Sequence, residues 1–281
     1  MSPVPDNAQP LTVPFYQVDA FTNVALKGNQ AAVMPLNAWL PDEKLAAIAA
    51  ENNLAETAFL VAEPAGGEAD YEIRWFTPSC EVPLCGHATL ASAHVIFQHL
   101  TPQRDTVVFR TRQRGLLTVR RGDDGLLVMD FPTSKLRPMI IPEALDAVLR
   151  SPVLEVMRYD GDDLFVVLDS PARVKALAPQ LTAFAEVKAR GIIVTAEANR
   201  DQDGCDFVCR YFAPGWGIDE DPVTGSIHTA LVPFWAKRLG RDSLISRQVS
   251  RRGGTLYCRA LGDRTEIAGH SVLYLSGQVY L

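Results

Sequence analysis

The chain reads as an α+β protein made of two pseudo-symmetric halves, and three observations lead there. Short β-rich runs and helical stretches alternate from Phe15 onward. Asp70-Tyr-Glu-Ile-Arg-Trp-Phe-Thr-Pro78 aligns with Asp206-Phe-Val-Cys-Arg-Tyr-Phe-Ala-Pro214 at an offset of 136 residues. Asp, Arg, Phe and Pro are identical there, and two further positions exchange one aromatic for another. The length, 281 residues, suits two units of ordinary domain size, and 47% hydrophobic with 21% charged residues is the composition of a globular protein.

The elements follow in order. Phe15–Phe21 reads as a strand, Gly28-Asn29 as a turn and Ala31–Met34 as a second strand. Pro41-Asp-Glu-Lys opens a helix through Leu45, Ile48 and Ala49, with acids in its first turn. Ala58–Val61 and Tyr71–Phe76 are strands, and Gly86–His99 is helical. Val107–Met129 is a hairpin turning at Gly122-Asp-Asp-Gly125. We place the boundary after it, giving one half at 12–129, completed by a terminal strand over 271–281, and another at 130–270. Looser echoes link Leu45-Ala-Ala-Ile and Phe59–Ala62 with Leu177-Ala-Pro-Gln and Ile193–Ala196, and Gly115–Arg120 with Gly254–Arg259. Both copies of the main repeat run on into a helix, the second over Gly225–Arg238, and the same offset carries Cys85 onto Asp221.

Composition narrows the function classes. A net charge of −6 argues against a nucleic-acid binder, because the arginines of Arg247–Arg252 are too local to make a basic face. Met1–Thr12 reads as a frayed tail rather than a signal peptide, and no apolar run is long enough to span a membrane. Five cysteines, an odd number without an export signal, suggest a reduced, cytoplasmic protein. No Gly-rich phosphate loop follows a strand, so a nucleotide cofactor is not expected. Cys80, Cys85 and His87 have a superficial zinc spacing but no neighbouring fourth ligand, so no metal is expected either.

Each half carries a strand ending in Phe-x-Pro, a loop and a helix start. A duplicated fold would bring both helix starts to one cleft about a pseudo-twofold axis. Unpaired backbone N–H groups and the positive dipole end make each start an anion site, and two converging starts a carboxylate receptor. Gly86 and Gly225-Ser226 would let a ligand approach the backbone; the plainer reading is that these glycines only permit turns. Asp221 is either an N-cap with Pro222 at the first helical position, or a carboxylate aimed at a ligand, or both. Glu56 stands at the mouth of a strand, where burial would suit a carboxylate for proton transfer and exposure would make it a plain connection. His87 follows Cys85-Gly86 directly at a helix start, a place for a site residue rather than a core histidine. Cys85 is either a thiolate at a helix N-terminus or a small buried apolar side chain.

Gly28-Asn-Gln-Ala-Ala-Val33, Asn53–Phe59, Phe76-Thr-Pro78, Cys85-Gly-His-Ala-Thr89 and Glu220-Asp-Pro-Val-Thr-Gly-Ser226 together resemble the PhzF family of phenazine-biosynthesis-like isomerases, over nearly the whole chain. The resemblance implies the diaminopimelate epimerase-like fold, in which each domain wraps a curved mixed sheet around a central helix and the active site lies between the domains. It also implies cofactor-independent acid/base chemistry and a homodimer. Glu56 would shuttle the proton, His87, Asp221 and Ser226 would line the site, and the Gly86 and Gly225 amides would help hold a carboxylate. Epimerases of this fold use one cysteine per half; here the second position is read as Asp221, so the two-thiol arrangement is absent. The expectation is an isomerase moving a proton on a small carboxylate-bearing substrate. The rivals are an amino-acid epimerase or racemase with Cys85 as one base, and a binding protein that keeps the carboxylate pocket without turnover.

Overall fold

The computed structural model describes residues 11–159 and 163–281. Most of the segment read as a tail, Met1–Pro10, therefore lies outside the described residues. The strands join into one continuous ribbon that folds around two helices. From one end the paired strands run Ser271–Tyr280, Thr12–Ala20, Asn29–Leu36, Glu56–Ala62, Tyr71–Phe76, Thr106–Arg110, Leu116–Arg121 and Leu127–Pro132. Leu127–Pro132 then pairs antiparallel with Arg264–Gly269. Beyond it the ribbon continues through Gly254–Leu261, Ser243–Gln248, Phe207–Ala213, Ile192–Glu197, Leu164–Val167, Glu155–Arg158 and Arg137–Pro138.

The two arms have the same order of pairings, counted outward from the junction of Leu127–Pro132 with Arg264–Gly269. Tyr71–Phe76 is parallel to Thr106–Arg110 as Phe207–Ala213 is to Ser243–Gln248, and Asn29–Leu36 is parallel to Glu56–Ala62 as Leu164–Val167 is to Ile192–Glu197. The 136-residue repeat is thus the same strand in each arm. Its shared arginine does the same work twice. Arg74 grips Glu81 through Nε–Oε1 at 2.7 Å and Nη2–Oε2 at 2.6 Å, and Arg210 grips Glu220 through the same atoms at 2.7 and 2.9 Å. Each guanidinium also lies over the phenylalanine two residues on, Phe76 at 5.0 Å and Phe212 at 4.6 Å. Such two-pronged pairs fix geometry as well as charge.

That fork changes the register of the repeat. Arg74 and Arg210 are 136 residues apart, whereas Glu81 and Glu220, like Gly86 and Gly225, are 139 apart. Three extra residues sit in the second loop, so the counterpart of Cys85 is Thr224, which precedes Gly225, and not Asp221.

Gly86–Val95 is the first central helix and is buried on every side, as a helix enclosed by a curved sheet must be. A single wide turn, Ile96–Leu100, extends it. The second central helix runs His228–Leu239, starting three residues later than expected. Its approach is a tighter turn, in which His228 N donates to Gly225 O at 3.0 Å and Thr229 N to Ser226 O at 3.1 Å. One core cluster unites both central helices, and two smaller ones lie under the outer helices, Asp42–Asn52 on one arm and Glu143–Leu149 with Pro171–Ala176 on the other. The echo of the outer helix at Leu177–Gln180 is not helical. Leu177 has already left the helix (φ −57°, ψ 132°), and Pro179, two residues on, lacks the N–H that a further turn would need. Among the described residues, no helix is long and apolar enough to cross a membrane.

Candidate active site

The two helix starts face each other across a gap about one methyl group wide. A methyl group added to Gly86 would sit 3.6 Å from Gly225 Cα and 3.9 Å from Ser226 N. Neither glycine adopts a left-handed backbone, so their smallness answers to the closeness of the facing chain rather than to a turn. Ser226 is less buried than the glycines, and its carbonyl accepts from Tyr159 Oη at 3.2 Å.

Around this gap the expected side chains assemble. Glu56 is the first residue of its strand and His87 the second of its helix, and His87 Nε2 lies 2.8 Å from Glu56 Oε2. The separation is that of an ion pair, and no other donor among the described residues reaches this buried oxygen. His87 Nδ1 is 3.5 Å from Cys85 Sγ and 3.1 Å from Asn29 Nδ2. Burial penalises the imidazolium, but the neighbouring sulphur and the Glu56 carboxylate outweigh it and hold His87 well above its ordinary range. Burial and the Glu56 charge together push the Cys85 thiol upward, against the pull of the His87 imidazole.

Asp221 completes the group from the other half. It ends the strand Ile218–Asp221 instead of capping the helix, because the tight turn at Gly225 moves the regular helix on to residue 228. Its Oδ2 accepts from Thr224 Oγ1 at 2.5 Å and its Oδ1 from Asn29 Nδ2 at 2.7 Å. Desolvation raises its pKa to about 6; the Glu56 charge adds to this, while His87 and the two hydrogen bonds oppose it.

Asn29 was part of a motif but was not singled out as a site residue. It is wholly buried, and Nδ2 reaches Val223 O at 2.9 Å as well as Asp221. Both partners can only accept, which fixes the amide's orientation and leaves Oδ1 buried without a partner. The signal in the sequence was its place directly after the tight Gly28, where a methyl group would fall 2.1 Å from Ala20 O.

Donor atoms of Glu56, Cys85 and His87 all lie within 4.8 Å of one another, a set that could hold a metal ion. The 2.8 Å between Glu56 Oε2 and His87 Nε2, however, is shorter than the roughly 3.3 Å between two ligands of one tetrahedral ion. It is a proton-sharing distance. Cys80, the other candidate ligand, is exposed and bonds to Thr77.

Known proteins carry the same architecture. An uncharacterized isomerase of Pseudomonas aeruginosa is 47% identical over 266 residues, covering 95% of this chain and 98% of that relative. A crystal structure of a phenazine biosynthesis protein of the PhzF family from Enterococcus faecalis superposes with a TM-score of 0.89 at 40% identity, covering 96% and 100% of the two chains. A hydroxyproline epimerase from Agrobacterium vitis shares the fold alone, at a TM-score of 0.60 and 13% identity. These likenesses agree with a match over residues 18–277 to the family described as phenazine biosynthesis-like protein, PhzC-PhzF, and to that family the chain belongs.

Proposed function

We propose that the protein is an isomerase that shifts a proton on a small carboxylate-bearing substrate held between its halves, using side chains of the protein as acid and base. The observation that carries this reading is the buried Oε2 of Glu56, 2.8 Å from His87 Nε2 and with no other partner among the described residues, next to two helix starts that face one another. The backbone amides at Gly86, Gly225 and Ser226 would receive the carboxylate and stabilise the charge that builds as a C–H proton leaves. Glu56 would take that proton and return it elsewhere on the same molecule, with the His87 imidazole 2.8 Å away to orient its carboxylate. Asp221 and the free Asn29 Oδ1 are acceptors, suited to an ammonium or hydroxyl of the same substrate.

The raised thiol of Cys85 speaks against the racemase alternative, which needs a thiolate base. The test is a screen of small carboxylates by thermal shift, followed by exchange in heavy water. Deuterium entering a stabilising compound, and lost in Glu56→Gln, is the expected result. Stabilisation without exchange for any compound would replace the isomerase reading with that of a binding protein.

A further inference from the structure

Behind the site, two buried side chains that no catalytic step uses converge on the turn Asp221–Thr224. His228 is wholly buried, with Nδ1 at 2.8 Å from Thr224 O and Nε2 at 2.8 Å from Ser246 Oγ. A carbonyl can only accept, so Nδ1 carries the hydrogen and Nε2 takes the hydroxyl hydrogen of Ser246. One neutral tautomer satisfies both contacts. Gln248 lies two residues beyond Ser246 on the same strand and so on the same face. Its Oε1 accepts from Thr224 N at 2.8 Å, and its Nε2 donates to Asp221 O at 2.8 Å and to Thr224 Oγ1 at 3.2 Å. Because Gln248 Nε2 donates to the Thr224 hydroxyl, that hydroxyl's single hydrogen is committed to Asp221 Oδ2.

The first half meets the same need differently. Thr89 stands four residues after Cys85 as His228 stands four after Thr224, and its Oγ1 donates to Cys85 O at 2.6 Å. Both halves therefore restrain the carbonyl just before the helix-start glycine. A short hydroxyl within the helix does so in one. In the other, an imidazole reaches past the helix to the strand, so the turn bearing Asp221 is tied to the sheet as well.

We propose that His228 and Gln248 are positioning residues which, acting through Thr224, set the rotamer of the Asp221 carboxylate and the direction of the Gly225 amide. This rests on the proton-shift reading above, and neither residue touches the substrate. Among the described residues, His87 and Glu56 act on the Asp221 carboxyl by their charge and Asn29 and Thr224 by hydrogen bonds, and the Tyr211 phenol lies near enough to feel its charge. Of these, Thr224 is the one that His228 and Gln248 hold directly.

The test uses the difference between two amides. His228→Asn puts an N–H where Nδ1 was and keeps the bond to Thr224 O; His228→Gln places its amide where Nε2 was and loses it. Carbon NMR of the Asp221 carboxyl follows its titration, nitrogen NMR of His228 in the unaltered protein reads the tautomer, and heavy-water exchange reads turnover. We expect Nδ1–H from pH 5 to 8. In His228→Gln and Gln248→Met, Asp221 should titrate above about 6 by roughly half a pH unit or more, and exchange should fall about tenfold. His228→Asn should restore both. Equal titration and exchange in the Asn and Gln variants, or an Nε2–H tautomer, would overturn the proposal. If His228→Gln or Gln248→Met fails to fold, Ser246→Ala decides, because it removes the hydroxyl that ties His228 Nε2 to the strand: an Asp221 titration identical to the wild type would overturn the proposal, and an upward shift would support it. A wild type with no exchange on any compound would overturn the isomerase reading instead, leaving the Asp221 titration to judge the positioning role.

Discussion

Asn29 and Asp221, 192 positions apart and on opposite halves, are joined by a hydrogen bond of 2.7 Å, and the same amide nitrogen holds Val223 O. The two halves of the site are thereby fixed to each other through one side chain. Asn29→Ala should leave a carboxylate and a carbonyl short of a donor, costing about 1–3 kcal/mol of stability, read as a lower urea midpoint. Asp221, deprived of a bond that favours its ionised form, should titrate above about 6.

Gly86→Ala separates folding from binding. The new methyl group meets only ordinary contacts, 3.6 Å from Gly225 Cα, and a helical alanine is favoured over glycine by about 0.5–1 kcal/mol. The variant should fold as well as the wild type while its methyl group occupies the gap between the helix starts. Carboxylates that raise the wild-type melting temperature should lose at least about tenfold in affinity, on the order of 1.4 kcal/mol. Gly28→Ala is the contrast: with φ at +64° and Ala20 O at 2.1 Å from the methyl position, it should fail to fold.

Asp221 ties stability to pH in a direction opposite to that of most carboxylates. Its folded pKa, about 6, is above its unfolded value near 3.8, so the folded state binds the proton more tightly. The stabilisation is full below the unfolded value and is lost as pH rises through about 6. Asp221→Asn should therefore be more stable than the wild type at pH 8, by about 1–3 kcal/mol, and the advantage should vanish below pH 4. Melting temperatures across that range decide it. Lower stability of the variant at pH 8 would contradict the burial of the charge.

Glu56 and His87 make the complementary case. The folded pKa of His87 is raised, so its contribution is present below its unfolded value near 6.5 and disappears as pH climbs through the higher folded value. Glu56→Gln removes the carboxylate that sustains this cation, so the variant's stability should fall less steeply with alkaline pH. Turnover should drop by about two to four orders of magnitude, as for loss of an acid/base group. A variant that keeps wild-type exchange would remove Glu56 from the role of base.

Cys85→Ser tests the racemase alternative. A thiol pushed upward by burial and the Glu56 charge should react slowly with iodoacetamide at pH 7.5, and the serine variant should keep isotope exchange within about an order of magnitude. Loss of exchange as complete as in Glu56→Gln would restore the cysteine to the chemistry.

Much of this was legible in the residues, and the limits are physical. Strands such as Tyr71–Phe76 and helices such as Asp42–Asn52 declare themselves through local periodicity and end signals. The repeated Asp–Arg–Phe–Pro pattern marked the duplication because one arginine does one job in each arm. Glu56, Cys85, Gly86, His87, Asp221, Gly225 and Ser226 were all expected at the site, and the structure brings Glu56, Cys85 and His87 together, with Asp221 held by Asn29 beside them and the Gly86 and Gly225 starts facing each other. The partnership of Cys85 with Asp221 did not survive, because an offset fixed on a strand cannot register three residues inserted in the loop that follows.

By itself, then, the sequence determined the α+β class, the doubling of the unit and the residue types gathered at the helix starts, since each leaves a local or periodic trace. Only the tertiary structure decided that Thr224, not Asp221, is the counterpart of Cys85, that Asn29 spans the halves, and that His228 and Gln248 hold the turn beneath Asp221. These are contacts between side chains far apart in the chain. Their geometry depends on loop lengths and on how the two arms of one curved ribbon close around their helices, and neither leaves a pattern in neighbouring residues.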